Sequence, residues 1–401
     1  MHTTGFRSAG HPRSLVAALV HFDISFMSWV LLGALGAYVA ADLGLSPAEK
    51  GLMVATPPLG GAAFRLLVGA AAERYGIKRV GLLTLGLTLV PLGWGWLAGG
   101  TYAQVLGIGL LLGIAGASFA VALPLAGYWY PPEHRGLALG IAGAGNSGTI
   151  IAALAAPRLA EHVGWHATFG LAAIPVSVAW LAFAILAKEP PRPKADKGEA
   201  ALSASLRLMA EPDARKLSAF YLITFGGFVG MASYLPIFFV DRFGLAKVSA
   251  AGYAALCAAA GSFLRPLGGV LADRFGGTRV LSVVLASVGA IGVALAALPG
   301  LAATVLLLFL ALGALGMGNG AVFGLVPERF PSRIGAVTGL VGAAGGVGGF
   351  LLPFALGSLA GVVGSFTPGF ACIAAGAAGA ALCAKRVERK WRQSPAALAV
   401  S

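Results

Sequence analysis

The sequence predicts an all-α, polytopic membrane protein in which twelve transmembrane helices form two six-helix bundles. Apolar residues make up 58% of the 401 residues and charged residues only 11%, whereas a soluble domain carries about 25% charged residues. Apolar runs of membrane-spanning length recur twelve times along the chain. They fall six on each side of one long polar interval, residues 188–216, which predicts two bundles joined by a linker.

Each predicted span is an apolar run of about 20 residues, the length that crosses a bilayer. The runs define an N-terminal bundle at 1–187, a cytoplasmic linker at 188–216 and a C-terminal bundle at 217–401 with a short basic tail. The twelve spans occupy residues 15–41, 51–73, 80–98, 103–128, 136–157, 166–187, 217–240, 249–272, 280–298, 302–326, 335–361 and 367–384.

The basic residues predict the orientation of the chain. Of 28 Lys and Arg, 22 lie at the termini, in the linker or in the loops on the same side, four lie in the other loops, and two lie within spans. The positive-inside rule therefore predicts both termini in the cytoplasm and a location in the cytoplasmic (inner) membrane. The net charge of +13 follows from this topology, so nucleic acid is not expected as a partner. We expect a monomer in the lipid bilayer, with no metal and no cofactor.

The two halves of the chain are related by an internal repeat. The segment "GAAFRLLVGAAAERYGIKRV" at 61–80 matches "GSFLRPLGGVLADRFGGTRV" at 261–280, and "YPPEHRGLALGIAG" at 130–143 matches "FPSRIGAVTGLVG" at 330–342. Both pairs are about 200 positions apart. Parallel repeats of six spans, related by an axis along the membrane normal, are a known architecture of secondary transporters.

Each copy of the repeat carries one arginine in the middle of a span, Arg65 and Arg265. A guanidinium at this depth costs about 2.5–3.5 kcal/mol on insertion scales, so each must face the protein interior and find a partner. Of 15 acidic residues only Asp23 lies within a span, and one acid cannot neutralise two arginines. The sequence therefore predicts a positively charged cavity that binds an anion. The alternative is that each arginine bonds backbone carbonyls at helix ends or breaks.

With these residues and motifs, the chain resembles the nitrate/nitrite porter family of the major facilitator superfamily. The resemblance covers nearly all spans and is carried by "DISFMSWVLLGALG" at 23–36, the two arginine segments, "GASFAVALPLAGYWYPPEHRGLALGIAGAGNSG" at 116–148, "GMGNGAVFGLVPERFP" at 316–331 and "GLVGAAGGVGGFLLP" at 339–353. It implies alternating access around an anion held between the two arginines. Flat oxyanions suit the planar fork of arginine, which binds them in a bidentate manner.

The resemblance also implies further substrate-binding residues. Tyr221 and Phe225, on one face of span 7, and Phe119 match the family's aromatic positions, and Asn146 matches its asparagine in the first glycine-rich signature. Asn319 is a second buried amide that we expect to contact the substrate or to bond a neighbouring helix. Each aromatic residue has ordinary helix packing as its alternative role. The signature glycines, which suit helices that slide or simply pack closely, are Gly140, Gly143, Gly145, Gly148, Gly339, Gly342, Gly345, Gly346, Gly348 and Gly349.

The loops after spans 2 and 8 resemble the superfamily's loop motif, with an acid and basic residues around a glycine. The resemblance implies a cytoplasmic gate, and the alternative is anchoring by positive charge alone. The predicted gate residues are Glu73, Arg74, Arg79, Asp273, Arg274 and Arg279.

Two mechanisms and two rival functions stay open at this stage. The family includes nitrate/nitrite exchangers and proton-linked nitrate importers. Asp23 is the possible proton-coupling site, and its alternative role is a cap or an interhelical bond. Another oxyanion carrier of this fold, such as an organophosphate/phosphate antiporter, is the main rival, although no lysine lies within a span. A non-transporting receptor is more distant. The spans lack a catalytic constellation, so no enzyme activity is expected.

Overall fold

The computed structural model describes residues 6–191, 207–330 and 333–392, and every regular element in these ranges is a helix. We number the α-helices in chain order, and a 3-10 turn at Ala144–Ser147 separates α8 from α9. The helices are α1 (Pro12–Trp29), α2 (Leu31–Ala34), α3 (Gly36–Asp42), α4 (Pro47–Tyr75), α5 (Ile77–Leu97), α6 (Tyr102–Gly116), α7 (Phe119–Trp129), α8 (Pro132–Gly143), α9 (Gly148–Leu186), α10 (Pro212–Phe243), α11 (Lys247–Phe275), α12 (Gly277–Ala296), α13 (Leu301–Arg329), α14 (Ile334–Val363) and α15 (Thr367–Arg392).

These helices make twelve membrane crossings. Within the described residues, ten helical stretches are long and apolar enough to span a bilayer. One of them, Glu133–Leu186, has 54 residues, about twice the length that a bilayer needs. It divides at Gly164, whose φ of 80° and ψ of 161° interrupt the helix. The segment α1–α3 supplies the remaining crossing, in three pieces that meet at Val30 and Leu35. The predicted fold class is confirmed.

Two boundaries differ from the predicted spans. Helix α10 begins at Pro212, inside the predicted linker, where proline takes the first helical turn and Asp213 provides a negative charge near the helix N-terminus. Helix α15 continues to Arg392 rather than ending at 384. Residues 192–206 of the predicted linker lie outside the described residues.

The most extensive contacts between the bundles are those of α4 with α14 and of α9 with α11. The repeat relates these pairs, because α4 and α11 are the arginine helices, and the glycine signatures lie in α14 and in the stretch from α8 to the first residue of α9. Glycines make the α4–α14 contact close: a side chain on Gly51 would lie 2.9 Å from the Cα of Gly357. Small residues allow this approach of backbones within a membrane.

The bundles are tied together on the face of the molecule opposite the chain termini. We call the face where α1 begins and α15 ends the terminal face, and the other the opposite face. On the opposite face Lys50 Nζ of α4 lies 2.9 Å from Asp241 Oδ1 of α10, and Lys247 Nζ lies 4.5 Å from the ring centroid of Tyr38. Both contacts cross between bundles.

The described ion pairs on the terminal face lie within the C-terminal bundle. Asp213 accepts bonds from Lys216 at 2.7 Å, Arg329 at 2.6 Å and the indole of Trp391 at 3.1 Å. Arg333 lies 2.6 Å from Glu211. These contacts fix α10, α13 and α15 to one another.

We expect Gly348→Ala to destabilise the protein and Gly339→Ala to leave it stable. A Cβ on Gly348 would overlap the carbonyl oxygen of Leu222, whereas none of the described atoms lies within 4 Å of a Cβ on Gly339. Overpacking costs about 1–3 kcal/mol, while alanine in an open helical position is neutral or gains up to about 1 kcal/mol. Thermal unfolding in detergent measures both variants. Equal unfolding temperatures for the two would contradict the described packing of α14 on α10.

Candidate functional site

Arg65 lies between the two bundles with only 1% of its surface exposed. Its Nη1 donates to the carbonyl of Gly342 in α14 at 2.5 Å, and its Nη2 donates to the carbonyl of Gly116 in α6 at 2.8 Å. Its Nε has no hydrogen-bond partner among the described residues. The carbonyl alternative weighed from the sequence therefore applies to this arginine, although carbonyls satisfy its N–H groups without cancelling its charge.

A local break between helices makes the Gly116 carbonyl available, whereas Gly342 lies within α14. The N–H of Ala120, which would bond Gly116 in a continuous helix, bonds the carbonyl of Ala117 at 2.9 Å instead. This is the point where α6 ends and α7 begins. Gly342 lets the guanidinium approach, since a Cβ there would lie 2.9 Å from Cδ of Arg65.

Aromatic rings from both bundles surround the Arg65 guanidinium. Its Cζ lies 5.7 Å from the ring centroid of Trp29, 5.4 Å from Phe119 and 5.5 Å from Phe225. Trp29 also stacks on Phe225 at 6.2 Å and 16°. Cations over aromatic faces gain electrostatic stabilisation that grows as water is excluded, so these rings lower the cost of burying the charge.

Arg265 approaches the same ring system from the C-terminal bundle but is held less firmly. Its Cζ lies 6.0 Å from the ring of Phe119 and 5.8 Å from Phe323. It is partly exposed, and its buried Nη1 has no hydrogen-bond partner among the described residues. The two arginines thus meet at Phe119, as the repeat predicts, and their charges repel one another.

Tyr221 and Phe225 form one wall of the site. Their rings stack at 4.8 Å and 7°, and Phe323 meets Tyr221 edge-on at 4.8 Å. The Tyr221 phenol faces Arg265 but makes no hydrogen bond of ordinary geometry. Gly345 allows α14 to lie against this wall, because a Cβ there would be 2.6 Å from the Tyr221 ring.

Asn146 and Asn319 are buried amides without described partners. Each is 1% exposed, and neither the Oδ1 nor the Nδ2 of either residue has a hydrogen-bond partner among the described residues. A buried amide left unbonded costs roughly 1–3 kcal/mol. Both amides were predicted as substrate-binding, and both retain the donor and acceptor capacity that such a role requires.

Asp23 bonds the break between α8 and α9. Its Oδ1 accepts from the hydroxyl of Ser147 at 2.6 Å, which corresponds to the interhelical bond weighed as its alternative role. Proton coupling at Asp23 stays a prediction.

The signature glycines fall into two groups according to their distance from the terminal face. Those nearest the terminal face have no described atom within 4 Å of a built Cβ, whereas those at and beyond the level of Arg65 press on neighbouring helices. The open positions are Gly140, Gly143 and Gly339, and the packed ones are Gly145, Gly148, Gly342, Gly345, Gly346, Gly348 and Gly349.

Both loop motifs turn at a glycine on the terminal face. Gly76 has a φ of 107° and Gly276 a φ of 89°, backbone conformations that favour glycine. In the first motif the N–H groups of Ile77 and Lys78 bond the carboxylate of Glu189 at 2.9 Å each, at the positive end of α5. The described hydrogen bonds of this loop stay within the N-terminal bundle. The gating role of the predicted residues therefore stays a prediction.

Three contributors to the site were missing from the sequence prediction. Trp29 and Phe323 complete the aromatic walls, and the Gly116 carbonyl binds Arg65. Phe323 lies four residues after Asn319, so helical spacing could have placed it on the same face. The free carbonyl of Gly116 depends on a helix break that composition does not reveal.

The fold is that of a polytopic membrane protein, and a family model described as Major Facilitator Superfamily matches residues 17–353. The chain belongs to the nitrate/nitrite porter family of that superfamily, a family of transporters rather than enzymes.

Curated relatives support this membership. The chain is 37% identical over 355 residues to the probable nitrate/nitrite transporter NarK2 of Mycobacterium tuberculosis (strain CDC 1551 / Oshkosh), covering 87% of this chain and 89% of that one. It is 34% identical to the nitrite extrusion protein of Bacillus subtilis (strain 168), with 86% of each chain covered. Among solved structures, an inward-facing, occupied bacterial homologue of the human lysosomal transporter Spinster matches with a TM-score of 0.71 and 19% identity. It covers 95% of this chain and 98% of that one, and shows the fold alone.

We expect Asn319→Leu to raise the unfolding temperature of the anion-free protein. The substitution replaces an unbonded buried amide with an apolar side chain of similar size and removes a cost of roughly 1–3 kcal/mol. Thr88→Val is the matched control, because its buried hydroxyl bonds the carbonyl of Thr84 at 2.8 Å and its loss should lower stability. The measurement is thermal unfolding in anion-free detergent buffer. A lower unfolding temperature for Asn319→Leu would show that the amide is satisfied within the protein.

Proposed function

We propose that this protein transports nitrate and nitrite across the cytoplasmic membrane by alternating access, with the anion held between Arg65 and Arg265. One observation carries the proposal: guanidinium groups from opposite bundles approach the same Phe119 ring, and each retains an N–H without a partner among the described residues. The names of the curated relatives support the choice of anion.

The chemistry of the site favours a small, flat oxyanion. Its charged groups are guanidinium groups, which bind planar oxyanions through two parallel N–H donors. Aromatic rings surround the guanidinium groups, and Asn146 and Asn319 add neutral donors without adding charge. No lysine lies within the apolar spans predicted from the sequence, which disfavours the alternative of an organophosphate/phosphate antiporter with its larger anionic charge.

The distribution of charges and contacts supports a specific orientation and state. The 22-to-4 distribution of basic residues supports a cytoplasmic location for the terminal face. The Lys50–Asp241 bridge closes the opposite face, and the open signature glycines lie towards the terminal face. We therefore interpret this conformation as inward-facing, with both termini cytoplasmic.

Electrostatics favours exchange over movement of an empty carrier. Two unneutralised arginines repel one another, and closing the empty site would remove the partly exposed Arg265 further from water. A bound anion offsets this repulsion in either direction of movement. Proton-coupled nitrate uptake is the second mode, and a pH-sensitive dye trapped inside vesicles distinguishes it from exchange.

We expect Arg65→Lys and Arg265→Lys each to reduce nitrate uptake by about tenfold or more. A lysine keeps the positive charge but offers a point donor in place of the planar fork. The measurement is nitrate uptake into vesicles that contain purified protein and are preloaded with nitrite. Arg158→Lys is the matched control, because Arg158 is exposed and bonds only the carbonyl of Leu154 in its own helix.

Retained uptake in either lysine variant would overturn the clamp. Uptake of phosphate, but not of nitrate or nitrite, by the wild-type protein would favour the antiporter alternative instead.

We expect Lys50→Ala to open the opposite face more often. The pair is 18% and 25% exposed, and a pair of this kind contributes about 0.2–1 kcal/mol, which corresponds to about a 1.4- to 5-fold change in population. The measurement is the rate at which a membrane-impermeant maleimide labels Ser233→Cys in a variant without native cysteines. A faster rate reports more frequent opening of the opposite face. Ser233 is buried against Gly33 of the other bundle.

The charge-reversed pair, Lys50→Asp with Asp241→Lys, should restore slow labelling. Arg158→Ala on the same face is the control and should have no effect. An unchanged labelling rate in Lys50→Ala would show that the bridge does not hold this face closed.

A further inference from the structure

Asp23 is the one acidic residue within a span, and its described partners are hydroxyl and backbone groups rather than a cation. The hydroxyl of Ser147 donates to its Oδ1 at 2.6 Å and also lies 2.9 Å from the carbonyl of Ala144. The backbone N–H of Gly148 lies close to the same carboxylate. Asp23 is therefore bonded at Ser147, the last residue of the 3-10 turn.

The turn at Ala144–Ser147 is pressed between α1 and α11. Glycines allow the contact with α1. A Cβ on Gly145 would lie 2.7 Å from the ring of Phe22, and one on Gly148 would overlap the carbonyl of Asp23. The turn therefore lies directly beside the helix that carries Asp23 and packs against the helix that carries Arg265.

Asn146 lies inside this turn, and its backbone is fixed from both directions. The hydroxyl of Thr149 donates to the carbonyl of Asn146 at 2.6 Å. On the other side, Ser147 is bonded to Asp23. The Asn146 amide has no described partner of its own, so the direction in which it points depends on the backbone that carries it.

We propose that Asp23 is a positioning residue: its bond to Ser147 fixes the turn so that the Asn146 amide points at the anion. The inference rests on the proposed function, because it assigns Asp23 to the same anion site. In this role Asp23 raises the affinity of the site for the anion without gaining or losing a proton.

Nitrate binding to the purified full-length protein, measured by isothermal titration calorimetry, tests this assignment. We expect Asp23→Ala to weaken binding by about tenfold, the scale of one charge-assisted hydrogen bond. Asp23→Asn keeps an oxygen that accepts from Ser147 and should bind within about twofold of the wild type. Ser147→Ala should resemble Asp23→Ala. Ser28→Ala is the matched control, because the Ser28 hydroxyl bonds the Ile24 carbonyl within α1 and its loss should leave binding unchanged.

A double-mutant cycle with Asn146→Ala separates positioning from general stability. If Asp23 acts through Asn146, adding Asp23→Ala to Asn146→Ala should cause little further loss of affinity. Multiplicative losses, or unchanged nitrate binding in both Asp23→Ala and Ser147→Ala, would overturn the inference. If Asp23→Ala does not fold, the milder Ser147→Ala variant decides the question. A wild-type protein that binds no nitrate in the same calorimeter would overturn the proposed function itself.

Discussion

The burial of Arg65 is the constraint on which the rest of this structure depends. A fully buried guanidinium without an acid beside it would be expelled from a membrane interior unless the protein satisfied its N–H groups and offset its charge. The chain meets this demand with two backbone carbonyls and three aromatic rings. Two local features give Arg65 access to the carbonyls. The break between α6 and α7 frees the Gly116 carbonyl, and Gly342 lets α14 approach closely.

The two arginines occupy matching positions in the repeat but have different surroundings. Arg65 is buried and has two carbonyl ligands, one from each bundle, whereas Arg265 is partly exposed and rests mainly on the rings of Phe119 and Phe323. The repeat therefore conserves the charge and its depth but not its bonding. Two hydrogen bonds to backbone carbonyls hold the Arg65 guanidinium, whereas Arg265 mainly contacts aromatic rings. The duplicated sequence does not reveal this difference.

Sequence reasoning located the fold and the arginine pair because these depend on composition, periodicity and register. Arg65 and Arg265 were recognisable from charge within an apolar run, whereas the glycine signatures and Asn146 were identified by the family resemblance. The partners of Arg65 were not recognisable, because Gly116 and Gly342 contribute carbonyl oxygens, which every residue has. The bond from Ser147 to Asp23 depends on a one-turn change of helix type that no residue pattern marks. The start of α10 was missed although Pro212 and Asp213 mark it, because the charged linker composition extends through them.

On the proposed function, the ligands of Arg65 would also provide a physical basis for coupling anion binding to movement. Gly116 belongs to the same bundle as Arg65, and Gly342 belongs to the other bundle. A displacement of α14 relative to α4 therefore changes the bonding of one Nη while leaving the other intact. On the proposed function, an anion that bonds Arg65 and Arg265 together would link the bundles through its own oxygens and make the Gly342 carbonyl dispensable. The energy of the buried charge would then depend on both the anion and the relative position of the bundles, which is the condition for one to control the other.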